Sequence, residues 1–200
     1  MKVFAWILGA SLLLALPFQS AAQTRKRTRG RARIQKTVPA AKAAVAPALV
    51  YQAAYQHILR SPEFEEYRQP CVAVFDSLVF QDYVTFSEAL RTELNFPKDH
   101  PQVQLLDSLF RMDERADHKP FYSPLAAKLT ATSGTQKGCT VILFSRLSQN
   151  TLLAEVSLNE EGGARVRDIV SPLNKTLRYL LLFSPDGKVK RYYTRVLNNN

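Results

Sequence analysis

The chain has 200 residues, 46% of them hydrophobic, and a formal charge of +10. Such a charge invites a nucleic-acid reading, but its distribution argues against one. From Ala48 onward 18 basic residues meet 17 acidic ones, so the excess lies ahead of a nearly neutral segment of about 150 residues, enough for one domain with its own core.

Lys2, the apolar run Val3 to Pro17 and the small or polar residues Gln19 to Ala22 follow one another in the order of a secretory signal peptide. The run is short for a membrane span, which needs about 20 residues. Cleavage is expected near Ala22, leaving an exported chain, periplasmic or secreted, with no transmembrane helix and without the only tryptophan, Trp6. No cysteine lies near that point, which argues against a lipid anchor.

Residues 23–47 form a predicted disordered arm. Arg25, Lys26, Arg27, Arg29, Arg31, Arg33 and Lys36 place seven positive charges in twelve residues, followed by an Ala/Pro-rich stretch from Pro39 to Pro47. With so little to bury, the arm cannot offset the entropy of ordering itself. Its charge suits an anionic lipid surface, an acidic polymer or an envelope protein. Nucleic acid is disfavoured because no aromatic residue is interleaved to stack on bases.

The domain, 48–200, opens with helical spacing of Leu49, Val50, Ala53, Ala54, His57 and Ile58, which predicts a helix over Pro47 to Arg60. Ser61-Pro62-Glu63 then starts a short helix through Tyr67, which Pro70 stops. The β-branched and aromatic run Cys71 to Phe80 predicts a strand. Thr85 and Glu88 match a capping box ahead of a helix carrying Phe86, Ala89, Leu90 and Leu94. Asp99, Pro101 and Gln102 repeat the device before a helix whose apolar face carries Leu105, Leu106, Leu109 and Phe110.

A charged connector, Asp113 to Lys119, leads to a short helix from Ser123-Pro124 through Leu129, then a loop from Thr132 to Gly138. Strands are predicted at Cys139 to Ser145, Asn150 to Leu158, Thr176 to Phe183 and Lys188 to Leu197. Asp186-Gly187 marks a tight hairpin between the last two. The fold class is therefore α+β, N-terminal helices packed on a four- to five-stranded antiparallel sheet. This layout resembles the cystatin-like and NTF2-like families, a likeness of layout that implies no functional residue.

Cys71 and Cys139 each stand where a strand begins, and in an oxidising compartment they are expected to bond. The three histidines match no metal-site spacing, and Asp113, Glu114, Asp117 and His118 read as a solvated helix end. No nucleophile elbow, phosphate loop or dinucleotide glycine pattern occurs, so no cofactor is expected. His57, on an inward helix face, Asp76, the one acid in an apolar run, and Tyr83 are the candidates to line a pocket. Tyr179, Arg191, Tyr192 and Tyr193 are candidates for a basic and aromatic outer face on the last hairpin. The expected function is an exported non-catalytic binding or interaction module on a basic arm. Its alternatives are a small NTF2-like pocket enzyme with an acid/base residue, and an envelope-associated structural or inhibitor-like protein.

Overall fold

The computed structural model describes residues 46–94, 102–132, 134–148, 150–163, 165–170 and 175–198. The expected leader, nearly all of the arm, and the Asp99 and Pro101 cap lie outside the described residues. Among them α1 spans Pro47–Arg60, with proline in its first turn, where a missing N–H leaves nothing unpaired. It buries Val50, Tyr51, Ala54 and Ile58, while Leu49 stays in solvent. The Tyr51 hydroxyl donates to Ser145 O and accepts from Leu147 N, tying the helix to the sheet. A 3-10 helix, Pro62–Tyr67, follows and buries Phe64.

The main sheet holds β1 (Val72–Val74), β4 (Cys139–Phe144), β5 (Thr151–Asn159), β6 (Lys175–Phe183) and β7 (Val189–Asn198), side by side in that order. A second ladder pairs β2 (Ser77–Leu78) with β3 (Phe121–Tyr122). The fold is α+β, as expected, but the main sheet is mixed, because β1 runs parallel to β4 while the other pairs are antiparallel. Gly187, at φ +82°, turns the last hairpin in the left-handed region that glycine enters at little cost.

The predicted strand from Cys71 to Phe80 breaks in the middle. Phe75 N donates to Ile142 O and Val79 N to Phe144 O, so four residues advance along β4 by only two. The surplus, Asp76 to Leu78, swings out to pair with β3. The predicted capping box at Thr85 and Glu88 is replaced as well. Asp82 accepts from both Thr85 N and Thr85 Oγ1 ahead of a 3-10 turn, Val84–Phe86, and α2 begins at Ser87–Glu93. Glu88 points instead to Arg195.

Helices cover both faces of the sheet. On one face α1, the 3-10 helix and α4 (Pro124–Ala127) pack on Ile142, Phe144, Ala154, Val156, Leu177, Tyr179 and Leu181. On the other, α2 and α3 (Gln102–Arg115) pack through Phe86, Leu90, Leu105 and Leu109 on Leu153 and Leu180. Beside them α5 (Val166–Ile169) sets Ile169 on Val141 and Leu143. Burying each large side chain stabilises by roughly 1.5–3 kcal/mol, so two filled faces form the bulk of the stability. Phe110, expected on the buried stripe of α3, is exposed instead.

Cys71 and Cys139 form a disulfide between the leading ends of the parallel pair, with Cα atoms 4.6 Å apart.

Candidate functional site

The three expected pocket residues do not meet. Asp76 is exposed in the turn between β1 and β2, where its carboxylate accepts from Ser77 Oγ. His57 lies on the α1 face of the sheet, its ring edge-on to Tyr192 at 4.5 Å. Tyr83 lies on the opposite face, packed against the α2–α3 cluster.

Burial pushes the His57 imidazole below its ordinary value, against the opposing pull of Glu63, and its Nε2 has no hydrogen-bond partner. The folded site therefore resists a proton that the unfolded chain accepts below about pH 6.5. A group depressed in this way stabilises above its unfolded pKa and less as the pH falls toward its folded one. We expect the urea midpoint to fall between pH 7 and pH 5, and His57→Gln to remove part of that fall. An equal fall in both proteins counts against the assignment.

The candidates for a basic and aromatic outer face divide: Arg191 is exposed, Tyr192 and Tyr193 are half-buried, and Tyr179 lies in the core. Tyr179 is fully buried, its hydroxyl sharing a 2.7 Å hydrogen bond with Ser61 Oγ, and Tyr192 is half-buried against His57. Arg191 and Tyr193 both donate to Glu93, and Arg195 donates to Glu88. Arg178 reaches Asp82 at 2.7 Å and Glu155 at 3.0 Å. Three acids of the segment from Asp82 through α2 thus each meet a cation of β6 or β7: Asp82 meets Arg178, Glu88 meets Arg195 and Glu93 meets Arg191. Desolvation alone would raise Asp82, but hydrogen bonds from Arg178 and Thr85 hold its carboxyl below the ordinary value.

A different feature remains accessible. Where β4 ends, a cleft of about 250 Å³ opens between the segment Leu78–Tyr83, the end of α3 and the link into β5. Leu78, Val79 and Phe80 line it with Ala116, and the polar lining is Tyr83, Asp117, Lys119, Ser145, Arg146 and Ser148, with Gln81. Burial raises the Tyr83 phenol, a hydrogen bond with Ser148 lowers it and the nearby Asp113 raises it further. The Arg146 guanidinium lies over the Phe121 ring at 5.1 Å and faces Asp117 at 3.6 Å. Phe121 and Tyr122 are 55% and 59% exposed. The His118 ring packs on Phe80 at 4.0 Å and its Nε2–H donates to Asp113 O.

Of the expected candidates only Tyr83 lines this cleft. Lys119, Arg146 and Ser148 escaped the sequence reading because they come from two connectors of irregular spacing, which carry no periodic signal. Among the described residues no group of three or more His, Cys, Asp or Glu is placed to hold a metal ion, and no helix is long and apolar enough to cross a membrane. Compared with protein-family models, curated proteins and solved structures, the chain matches none.

Proposed function

We propose that the protein is an exported, non-catalytic binding module whose domain holds a small ligand in the cleft beside Tyr83 and Arg146. The observation that carries this reading is the cleft itself, since an apolar floor with a few converging polar groups is the usual form of a ligand site. Export is supported by the order of residues 1–22 and is compatible with the disulfide. The arm, through Arg25, Lys26, Arg27, Arg29, Arg31 and Arg33, serves as a tether to an anionic lipid surface, an acidic polymer or an envelope protein. A pocket enzyme of the NTF2-like kind has less support, because His57, Asp76 and Tyr83 stand apart.

The test is a fragment titration of the isotope-labelled full chain, followed by backbone amide shifts. Compounds of varied charge should move Tyr83, Lys119, Arg146 and Ser148 together. Shifts scattered over the surface, or confined to the arm, would remove the cleft from consideration.

A further inference from the structure

The lining of the cleft also selects among ligands, and this step rests on the binding reading above. Leu78 and Val79 are buried and form the apolar floor with Phe80 and Ala116. A ligand that leaves water for this floor needs a compact apolar body. The volume, about 250 Å³, lies just under the roughly 300–1,000 Å³ of sites for drug-sized molecules, which limits that body to one ring or a short branched chain.

Charge selects the head group. Three ionic side chains line the cleft, the cations Lys119 and Arg146 and the carboxylate Asp117. Asp117 is engaged at both oxygens, Oδ1 accepting from Lys119 N at 3.1 Å and Oδ2 facing Arg146 at 3.6 Å. The Lys119 ammonium has no ion-pair partner among the described residues. Arg146 is already positioned by Phe121 and Asp117, and its five N–H donors exceed what one carboxylate oxygen consumes. Asp113 lies behind Tyr83 on the other side of the cleft, so the positive charge is local to Lys119 and Arg146, and it is there that a negative head group on the ligand would sit. A carboxylate matches the guanidinium fork in two parallel hydrogen bonds. We infer that the cleft takes a small monocarboxylate with a compact apolar body, its head group between Lys119 and Arg146 and its body on Leu78, Val79 and Phe80.

Three probes of one shape test this: 3-phenylpropanoate, 3-phenylpropan-1-ol and 3-phenylpropylamine, each titrated into the full chain by calorimetry and amide shifts. The carboxylate should bind at least tenfold tighter than the alcohol, with the amine weakest. Arg146→Gln and Lys119→Gln should each weaken the carboxylate severalfold and narrow its lead over the alcohol, and the double variant should bind carboxylate and alcohol alike. Both side chains are exposed and both variants keep the basic arm, so neither misfolding nor the arm accounts for such a result. Added salt should narrow the gap between carboxylate and alcohol. Equal binding of alcohol or amine overturns the anion assignment alone. So does silence of all three probes while other fragments still move Tyr83 and Ser148. If no fragment of any kind moves those residues, the cleft reading falls with it.

Discussion

Removing the disulfide, by Cys71→Ala with Cys139→Ser, should cost about 4 kcal/mol, because the bond closes a loop with a sequence separation of 68. For a domain of this size that corresponds to a melting point lower by roughly 8–16 °C. The loss arises mainly in the unfolded chain, which regains the freedom the crosslink had removed. It also arises in the sheet, since β1 has three residues and pairs with β4 alone, at the edge of the order β1-β4-β5-β6-β7. Thermal unfolding with and without reductant measures the effect directly. The reduced wild type should match the double variant, and a shift of less than about 1 kcal/mol would mean that the remaining packing holds β1 unaided.

Arg178→Leu should cost about 3 kcal/mol, because breaking a buried ion pair strands the partner charge. Arg178 is 18% exposed at its side chain and Glu155 only 7%, and Glu155 Oε1 already lacks a hydrogen-bond partner. Losing the guanidinium leaves that carboxylate without its compensating charge and releases Asp82 from one of the contacts that orient the turn before α2. Replacing both residues, Arg178→Leu with Glu155→Leu, should recover much of the stability, since apolar groups of similar volume often replace a buried pair at little cost. Denaturant unfolding of the two single variants and the double variant gives the coupling. If the double variant is as unstable as the sum of the singles, the pair is not the unit described here.

The strand half of the fold was legible because β4 to β7 carry sustained β-branched and aromatic patterns bounded by turn residues. Asp186-Gly187 fixed the last hairpin, and α1 matched its predicted span from Pro47 to Arg60. The direction of β1 was not read, although the information lay in the two cysteines. Cys71 immediately precedes β1 and Cys139 begins β4, so their bond joins the leading ends of the two strands, as parallel neighbours allow. The second covered face was also written in β6, where Leu180 alternates with Arg178 opposite the stripe of Leu177, Tyr179 and Leu181. A strand apolar on both sides belongs in the middle of three layers.

The site was less legible than the fold. The pairing of Arg191 and Arg195 was not read because their partners, Glu93 and Glu88, stand about 100 positions earlier in the chain. Cross-chain pairing of that kind leaves no local trace. The cleft depends on the same long reach, since Arg146 meets Asp117 and Phe121 only after β4 has been laid beside β1.

The bond between Cys71 and Cys139 makes a covalent ring of everything between them. That ring contains α2, α3, β3 and α4, and with them most of the residues that line the cleft, from Leu78 to Lys119. A single backbone cut anywhere within it yields two new chain ends but no separate fragment. The walls of the cleft therefore stay tethered to the sheet through a proteolytic nick, as long as the surroundings remain oxidising.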